Sequence, residues 1–390
     1  MKDDFIRGWP VFTDDDIAAV ERVLRSGRVN YWTGTEAREF EQAFASFVGA
    51  EYSVALANGT VALELALRAL GIGAGDDVVV TSRSFVASAG TVLLCGACPV
   101  FADVDPVSQN LTADTIEDVI TTSTRAIVVV HLGGWPCDMG PIMELAEERE
   151  LFVIEDCAQA LGASVRGRSV GSWGHVAAWS FCQDKIMTTG GEGGMLTTDD
   201  DAIFNRAWSY KDHGKSREKM LETVPGPSFK WVHDSIGTNW RMTEMQAAIG
   251  NVGLPKVPAW VDRRAVLAGV LDDYFSSHDG FRTTVPDPGV RHAYYKYYVF
   301  LKSDCMPPGW NRDSRLEMLH DKGVPAYSGI CGEIYRERAF EDGGFAPDER
   351  HPVARELSET AIMIPIHPNL TEQAVLEAAR AITDTIDGIA

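Results

Sequence analysis

Six short apolar runs, separated by stretches of helical periodicity, restrict this chain to few architectures. In order they are Tyr52 to Ala57, DVVVT, PVFADV, RAIVVVH, LFVIEDC and HVAAWSF. Each is too short for a buried helix and rich in β-branched or aromatic residues, so each reads as a strand. Their nearly continuous apolar character implies that both faces are covered, and the intervening helical patterns supply the cover. The expected fold class is therefore α/β, built on a mostly parallel, doubly covered sheet. Ligands of such sheets bind where the strands end, at their carboxyl edge. The residues just after each run are accordingly the first candidates for function.

Three of those strand ends carry chemistry. Lys185 follows HVAAWSF by four residues, and the loop after it holds Gly190, Gly191, Gly193 and Gly194, interrupted only by Glu192. Glycines there let backbone approach a ligand closely, although a surface lysine in a flexible loop would look the same. Asp156 closes LFVIEDC, where a carboxylate is costly unless it is paired or used; the alternative is a cap for the next element. Asn58-Gly59-Thr60 joins a strand to the helix VALELALRAL, so free N–H groups and the helix dipole favour an anion. Phe85 adds a flat face after DVVVT, or simply joins the core. An amine, a buried carboxylate and an anion cradle together match the needs of pyridoxal phosphate.

Other features exclude function classes. The formal charge of −21 (35 Lys and Arg against 56 Asp and Glu) argues against nucleic acid and anionic membrane as partners. No apolar stretch approaches 18 residues and the start, MKDDFIRGWP, lacks an apolar targeting core, so a cytoplasmic location is expected. Seven scattered cysteines fit a reducing compartment. Cys95 and Cys98 are spaced as C-x-x-C but precede a strand rather than open a helix, so they read as packing. No paired spacing of Cys and His suggests a metal. GIGAGDD (71–77) follows a helix and precedes a strand, the reverse of a nucleotide fingerprint.

Helices are expected at 14–26, across the second half of VNYWTGTEAREFEQAFASFVGA, at 87–95, 113–121 and 139–149, and later at 314–321 and 372–386. The stretch 210–227 is polar and charged, with Lys211, His213 and Lys215, and reads as a long substrate loop. Pro255 and Pro258 mark a boundary, which divides the chain into a large domain over 1–254, N-terminal segment included, and a smaller α+β domain over 255–390.

The order and spacing of TGTEAREFE, NGTVALELALRALGIGAGDDVVV, FVASAGTVLLCGACPVFADVD, EDCAQALGA, SFCQDK with GGEGG, NWRMTEMQAAIG and IPIHP resemble the DegT/DnrJ/EryC1/StrS family of sugar aminotransferases, pyridoxal phosphate enzymes of fold type I. The resemblance implies the aspartate aminotransferase-like architecture. It places the Schiff-base lysine at Lys185, the partner of the pyridine nitrogen at Asp156 and a contact to the ring hydroxyl at Gln159. Gly59, Thr60 and Ser180 match phosphate contacts, and Phe85 a position near the ring face. Asn239 matches an asparagine that reaches the neighbouring subunit's cofactor, which implies a homodimer with shared sites. The sequence departs from the family in the extra glycine of Thr189-Gly190-Gly191-Glu192 and in Trp135, both expected on the substrate side. The implied reaction is amination of a keto sugar on a nucleotide diphosphate, with glutamate as donor and Lys211, His213, Lys215 and Arg241 as candidate cations for the diphosphate. A cyclitol ketone as substrate, or a cofactor-binding homologue without turnover, are the rival readings.

Overall fold

The computed structural model describes residues 2–222, 229–302 and 311–387. Two helices, α1 (Asp14–Ser26) and α2 (Glu36–Val48), lead into the sheet. Thr13 and Asp16 cap the start of α1 reciprocally, and Gly27 ends it in the left-handed region that a side chain disfavours.

The strands β1 (Tyr52–Leu56), β2 (Asp77–Thr81), β3 (Cys98–Ala102), β4 (Thr124–Val130), β5 (Phe152–Asp156), β6 (Val176–Ser180) and β7 (Gly194–Thr198) form one sheet in the order β1-β7-β6-β5-β4-β2-β3. The first six are the expected runs. β7, Gly-Met-Leu-Thr-Thr, lacks their apolar signature and lies immediately after the glycine loop. It runs against both β1 and β6, while β2 to β6 are mutually parallel. Two reversals cancel, so β1 points the same way as β6. The carboxyl ends of β1, β2, β4, β5 and β6 therefore share one rim.

Period-two alternation sorts the strand side chains onto two covered faces. Val78, Val80, Val128, Ile154 and Ala178 meet α3 (Gly59–Leu70) through Leu63, Ala66 and Leu67. Val79, Ile127, Val129 and Val153 meet Ile142 and Leu145 of a helix on the other face, Met139–Glu148. Burying each such valine or leucine contributes about 1.5–3 kcal/mol. Between β2 and β3 stands α4 (Ala87–Leu94). The helix expected at 113–121 ends earlier, as Ala113–Glu117.

The stretch after Tyr210 is more ordered than its polarity suggested. It carries α5 (Arg217–Glu222) and is tied down by single bridges, Asp212 to Asn239 and Lys215 to His233, while 223–228 lie outside the described residues. The chain then returns alongside β1: the Ala57 N–H donates to the Trp240 carbonyl at 2.9 Å. Helices α6 (Glu244–Gly253) and α7 (Val257–Ser276) follow.

Beyond α7 an antiparallel sheet joins β8 (Phe281–Arg282), β9 (Lys296–Leu301) and β10 (Ala361–Pro365). Its core takes Leu267, Leu271 and Phe275 of α7 and Val375, Ala379 and Ile382 of the last helix, Glu372–Asp387. Phe5 belongs to this second core, although division of the sequence at 254 grouped it with the large sheet. Among the described residues, no helix is long and apolar enough to cross a membrane.

Candidate active site

At the shared rim the structure opens a cleft of about 750 Å³ whose walls include Gly59, Thr60, Phe85, Asp156, Gln159, Ser180 and Lys185. Seven residues drawn from four strand ends thus converge as the sequence implied. Another groove of about 770 Å³, lined by Arg68, Arg206 and Arg217, contains none of them. We place the chemistry in the first because only there do a nucleophilic amine and a buried carboxylate share a wall.

The anion end is the start of α3. Asn58 caps it by accepting from the Val61 N–H at 3.0 Å. The N–H groups of Gly59 and Thr60 have no acceptor within the helix, by the geometry of any helix start. Space dictates Gly59: a Cβ there would stand 2.6 Å from the Ser180 Cβ. At Gly194 a Cβ would stand 2.3 Å from the Asn58 carbonyl oxygen, so the β6–β7 turn and the helix start are pressed together.

Asp156 is 4% exposed at the end of β5. Its Oδ2 accepts from the Ser88 hydroxyl at 2.8 Å and its Oδ1 from the Ala158 N–H at 3.1 Å. Burial pushes this carboxyl above its ordinary value, against the pull of Ser88, the Ala158 N–H and Lys185. Gln159 is fixed beside it, its Oε1 accepting from the Gly133 N–H at 2.9 Å.

Behind Asp156, the ligand atoms of His131, Glu155 and Cys157 lie within 4.8 Å of one another. Two of them, His131 and Glu155, are engaged with each other and with backbone N–H groups. His131 Nε2 meets Glu155 at 3.0 Å while its Nδ1 accepts from the Cys137 N–H. Glu155 also accepts from the N–H groups of Gly171, Trp173 and Gly174 at 2.7–2.8 Å. Burial raises this carboxyl, but the His131 ring and those N–H groups outweigh it and hold Glu155 below its usual range.

The Lys185 Nζ donates to the Tyr295 hydroxyl at 3.3 Å and sits 4.6 Å from the centre of that ring. Tyr295 in turn donates to Asp184, which also takes Lys296 at 3.3 Å. Burial drives the Tyr295 hydroxyl well above its ordinary value, with the Asp184 charge adding to it. Asp184 ends below the carboxylate range: burial raises it, but Lys185 and Lys296 outweigh that. From the chain's start, Trp9 Nε1 donates to the Lys185 carbonyl at 2.8 Å. Sequence reasoning missed Ser88, Asp184, Tyr295 and Trp240, all of which line the cleft. Asp184 alone had a signal, as the neighbour of the lysine.

Other expected residues lie elsewhere. Trp135 is buried, edge-on to His292 at 5.4 Å, with its carbonyl bonded to Asn110; it is core, not cleft. Lys211 is fully buried and bonded to Glu41 at 3.0 Å, so it presents no charge to a ligand. Arg241 and Lys215 both engage Asp212. His213 is exposed, and its N–H is used by the Thr238 carbonyl. Asn239 is exposed and does not line the cleft of its own chain. In the lengthened loop, Gly190 and Gly191 both adopt positive φ, 94° and 120°, and Glu192 turns into the cleft wall.

Comparison with known proteins agrees with this geometry. The family model described as the DegT/DnrJ/EryC1/StrS aminotransferase family matches residues 10–383. A GDP-perosamine synthase of Escherichia coli is 33% identical over 355 residues, 90% of each chain. A UDP-N-acetyl-3-dehydro-alpha-D-glucosamine 3-aminotransferase of Acidithiobacillus ferrooxidans is 34% identical over 377 residues, covering 96% of this chain and 95% of its own. Among solved structures, an aminotransferase from Psychrobacter cryohalolentis superposes with a TM-score of 0.94 at 49% identity over 98% of both chains.

Proposed function

The chain belongs to the DegT/DnrJ/EryC1/StrS aminotransferase family, and from that premise we propose that it aminates the keto carbon of a sugar carried on a nucleoside diphosphate, with glutamate as donor. It is a pyridoxal phosphate-dependent aminotransferase of fold type I. The nucleotide-sugar part of the reading is supported by relatives named for GDP- and UDP-linked sugars that align along nine-tenths or more of this chain.

The residues of the cleft fit the cofactor. The N–H groups of Gly59 and Thr60, with Ser180 opposite, would hold the phosphate. Asp156, buried and lacking a cationic partner at hydrogen-bonding distance among the described residues, would hold the proton on the pyridine nitrogen. Gln159 would meet the ring hydroxyl, and Phe85, 58% exposed, would lie along the ring. When bound, the cofactor supplies a conjugated ring that accepts the electron pair of a breaking bond at the carbon bearing nitrogen. Lys185 is the amine that carries the cofactor and, once displaced, moves the proton at that carbon as base and then acid. Tyr295 holds the amine at the rim when it is free.

The single observation that carries this reading is that Lys185 and Asp156 line one cleft with the start of α3. Purified protein loaded with the cofactor, given glutamate and a panel of keto sugar nucleotides, should yield an amino sugar nucleotide by mass spectrometry. Turnover of a free cyclitol ketone, with none of any nucleotide sugar, would sink the proposal.

The protein is further proposed to act as a homodimer whose Asn239 reaches the phosphate held by the other subunit. Four large apolar side chains on the segment that leads to Asn239 support an occluded surface there: Leu221, Phe229, Trp231 and Ile236 are 74–91% exposed in the single chain.

A further inference from the structure

On the other side of the Asp184–Tyr295 pair lies a second cavity of about 330 Å³. Asp184 and Tyr295 line both spaces, so this cavity stands one side chain from the Lys185 amine. Trp9, Arg264, Lys296 and His367 complete the part of the wall that matters here.

Arg264 projects from the middle of α7 and is 1% exposed. One end of its guanidinium is fixed: Nη1 donates to the Ile366 carbonyl and, at 3.4 and 3.5 Å, to those of Tyr294 and Tyr295. The other edge is buried and unpartnered. Among the described residues, neither Nε nor Nη2 meets an acceptor. These two N–H groups lie side by side on a rigid plane, the arrangement that matches both oxygens of a carboxylate. Asp184, the carboxylate in the same wall, is already taken by Tyr295 and Lys296.

Asp184 offsets Lys296, and the Arg264 guanidinium is left without a counter-charge, a costly state for a buried group. Burial brings Arg264 down to about 10, which leaves it charged at neutral pH. Burial likewise lowers His367 to about 4, so its ring is neutral there, with Nε2 donating to the Asp4 carbonyl and Nδ1 an unpartnered acceptor. The Trp9 ring lies 5.5 Å from the guanidinium and its Nε1 holds the Lys185 carbonyl, so one side chain braces both cations.

We propose that this cavity is the carboxylate subsite for the amino donor, with the Nε and Nη2 edge of Arg264 gripping one carboxylate of a dicarboxylic amino acid whose amino group faces Lys185. The proposal rests on the donor reading above and adds the residue that selects for it. Arg264→Lys would keep the charge but lose the paired edge.

Glutarate tests this, because it carries both carboxylates of the donor and no amine. Calorimetry on the cofactor-loaded protein should show glutarate binding where the neutral diamide does not. In Arg264→Lys the affinity should fall at least about tenfold, the loss of one charged hydrogen bond. A crystal of the wild-type complex, which needs no variant to fold, should place a carboxylate against Nε and Nη2. Glutarate seated elsewhere, affinity unchanged in Arg264→Lys, or inorganic phosphate bound as tightly would each overturn the assignment. The parent reading is judged separately, by whether glutamate converts the bound cofactor to its amine form. Conversion with glutarate indifferent to Arg264 removes the subsite and leaves the aminotransferase. Glutarate held by Arg264 without conversion removes the donor role.

Discussion

Asp156 is a carboxylate buried with two neutral donors, Ser88 and the Ala158 N–H. Its pKa in the folded protein is raised, chiefly by burial, so the folded chain binds this proton more tightly than the unfolded one. On that account stability falls as pH rises from the ordinary carboxylate value through the raised one, and at neutral pH the ionised group is a cost. A protonated pyridine nitrogen would reverse the sign. We therefore expect Asp156→Asn to leave the melting temperature of the cofactor-free protein unchanged or higher, while the gain on adding pyridoxal phosphate shrinks. Turnover should drop by about 100-fold or more, as for loss of other preorganised electrostatic partners. Calorimetry with and without cofactor checks this, and an equal gain in both proteins would remove Asp156 from the cofactor. Borohydride reduction followed by mass spectrometry should place the adduct on Lys185; an adduct on another lysine would move the site. The meeting of Lys185 and Asp156 in one cleft was legible because residue type and strand-end position pointed to one place. Lys211 was misread because its partner, Glu41, is 170 residues away in sequence, and charge in a polar stretch says nothing about burial. Ser88 and Tyr295 carry no local signature at all: one is a serine in a short helix, the other the residue before a strand.

At the scale of elements, the most readable parts were those whose pattern is local. The six apolar strands and α1 fall within a residue or two of expectation, since alternation, caps and glycine stops act over a few positions. β7 escaped because its pairing with β1 and β6 is tertiary and its two threonines mimic a loop. The contact between that hairpin and α3 yields a test. In Gly59→Ala the new methyl meets the Ser180 Cβ, so the helix start must shift by some tenths of an ångström or more. We expect cofactor affinity to weaken by about tenfold or more while far-ultraviolet circular dichroism is retained, because displaced N–H groups lose aim before the helix melts. Unchanged affinity would mean that these N–H groups do not hold the phosphate. A second test concerns α7 against β9. Burial raises Asp272 to about 6 even though Tyr297 donates to it at 2.8 Å. Because the folded value exceeds the unfolded one, this carboxylate contributes a stability loss that grows between about pH 4 and 6 and persists above. Asp272→Asn, which keeps the acceptor, should flatten that slope and stabilise the protein at pH 7 by about 1 kcal/mol, partial exposure screening the rest. Parallel denaturation curves across that pH range for both proteins would exclude the effect.

For the whole molecule the acidic balance sharpens the question of how a diphosphate is held. Of the four groups named from sequence, three are spent internally, Lys211 on Glu41 and both Lys215 and Arg241 on Asp212, while His213 is exposed, in a chain of net charge −21. Among the described residues, the positions that sequence suggested thus form no basic cluster, which fits the proposal that a second subunit completes the site. The exposed Phe229, Trp231 and Ile236 precede Asn239 on the segment that reaches β1 at Trp240. Covering these apolar residues would be favourable, and a twofold partner of the kind proposed would bring each Asn239 toward the opposite cleft. If sites are shared, lesions in different subunits complement. Lys185→Ala and Asn239→Ala are each expected to be inactive or severely impaired alone. In a heterodimer one site would carry both lesions and the other neither. Equal mixing with free subunit exchange makes half of the dimers mixed, each with one intact site of two, so about a quarter of wild-type activity should return. Native mass spectrometry on differently tagged subunits verifies the exchange. Full exchange without recovered activity would assign Asn239 to its own chain's cleft and end the composite-site reading, whereas recovery near the expected fraction cannot arise if both residues serve the same subunit.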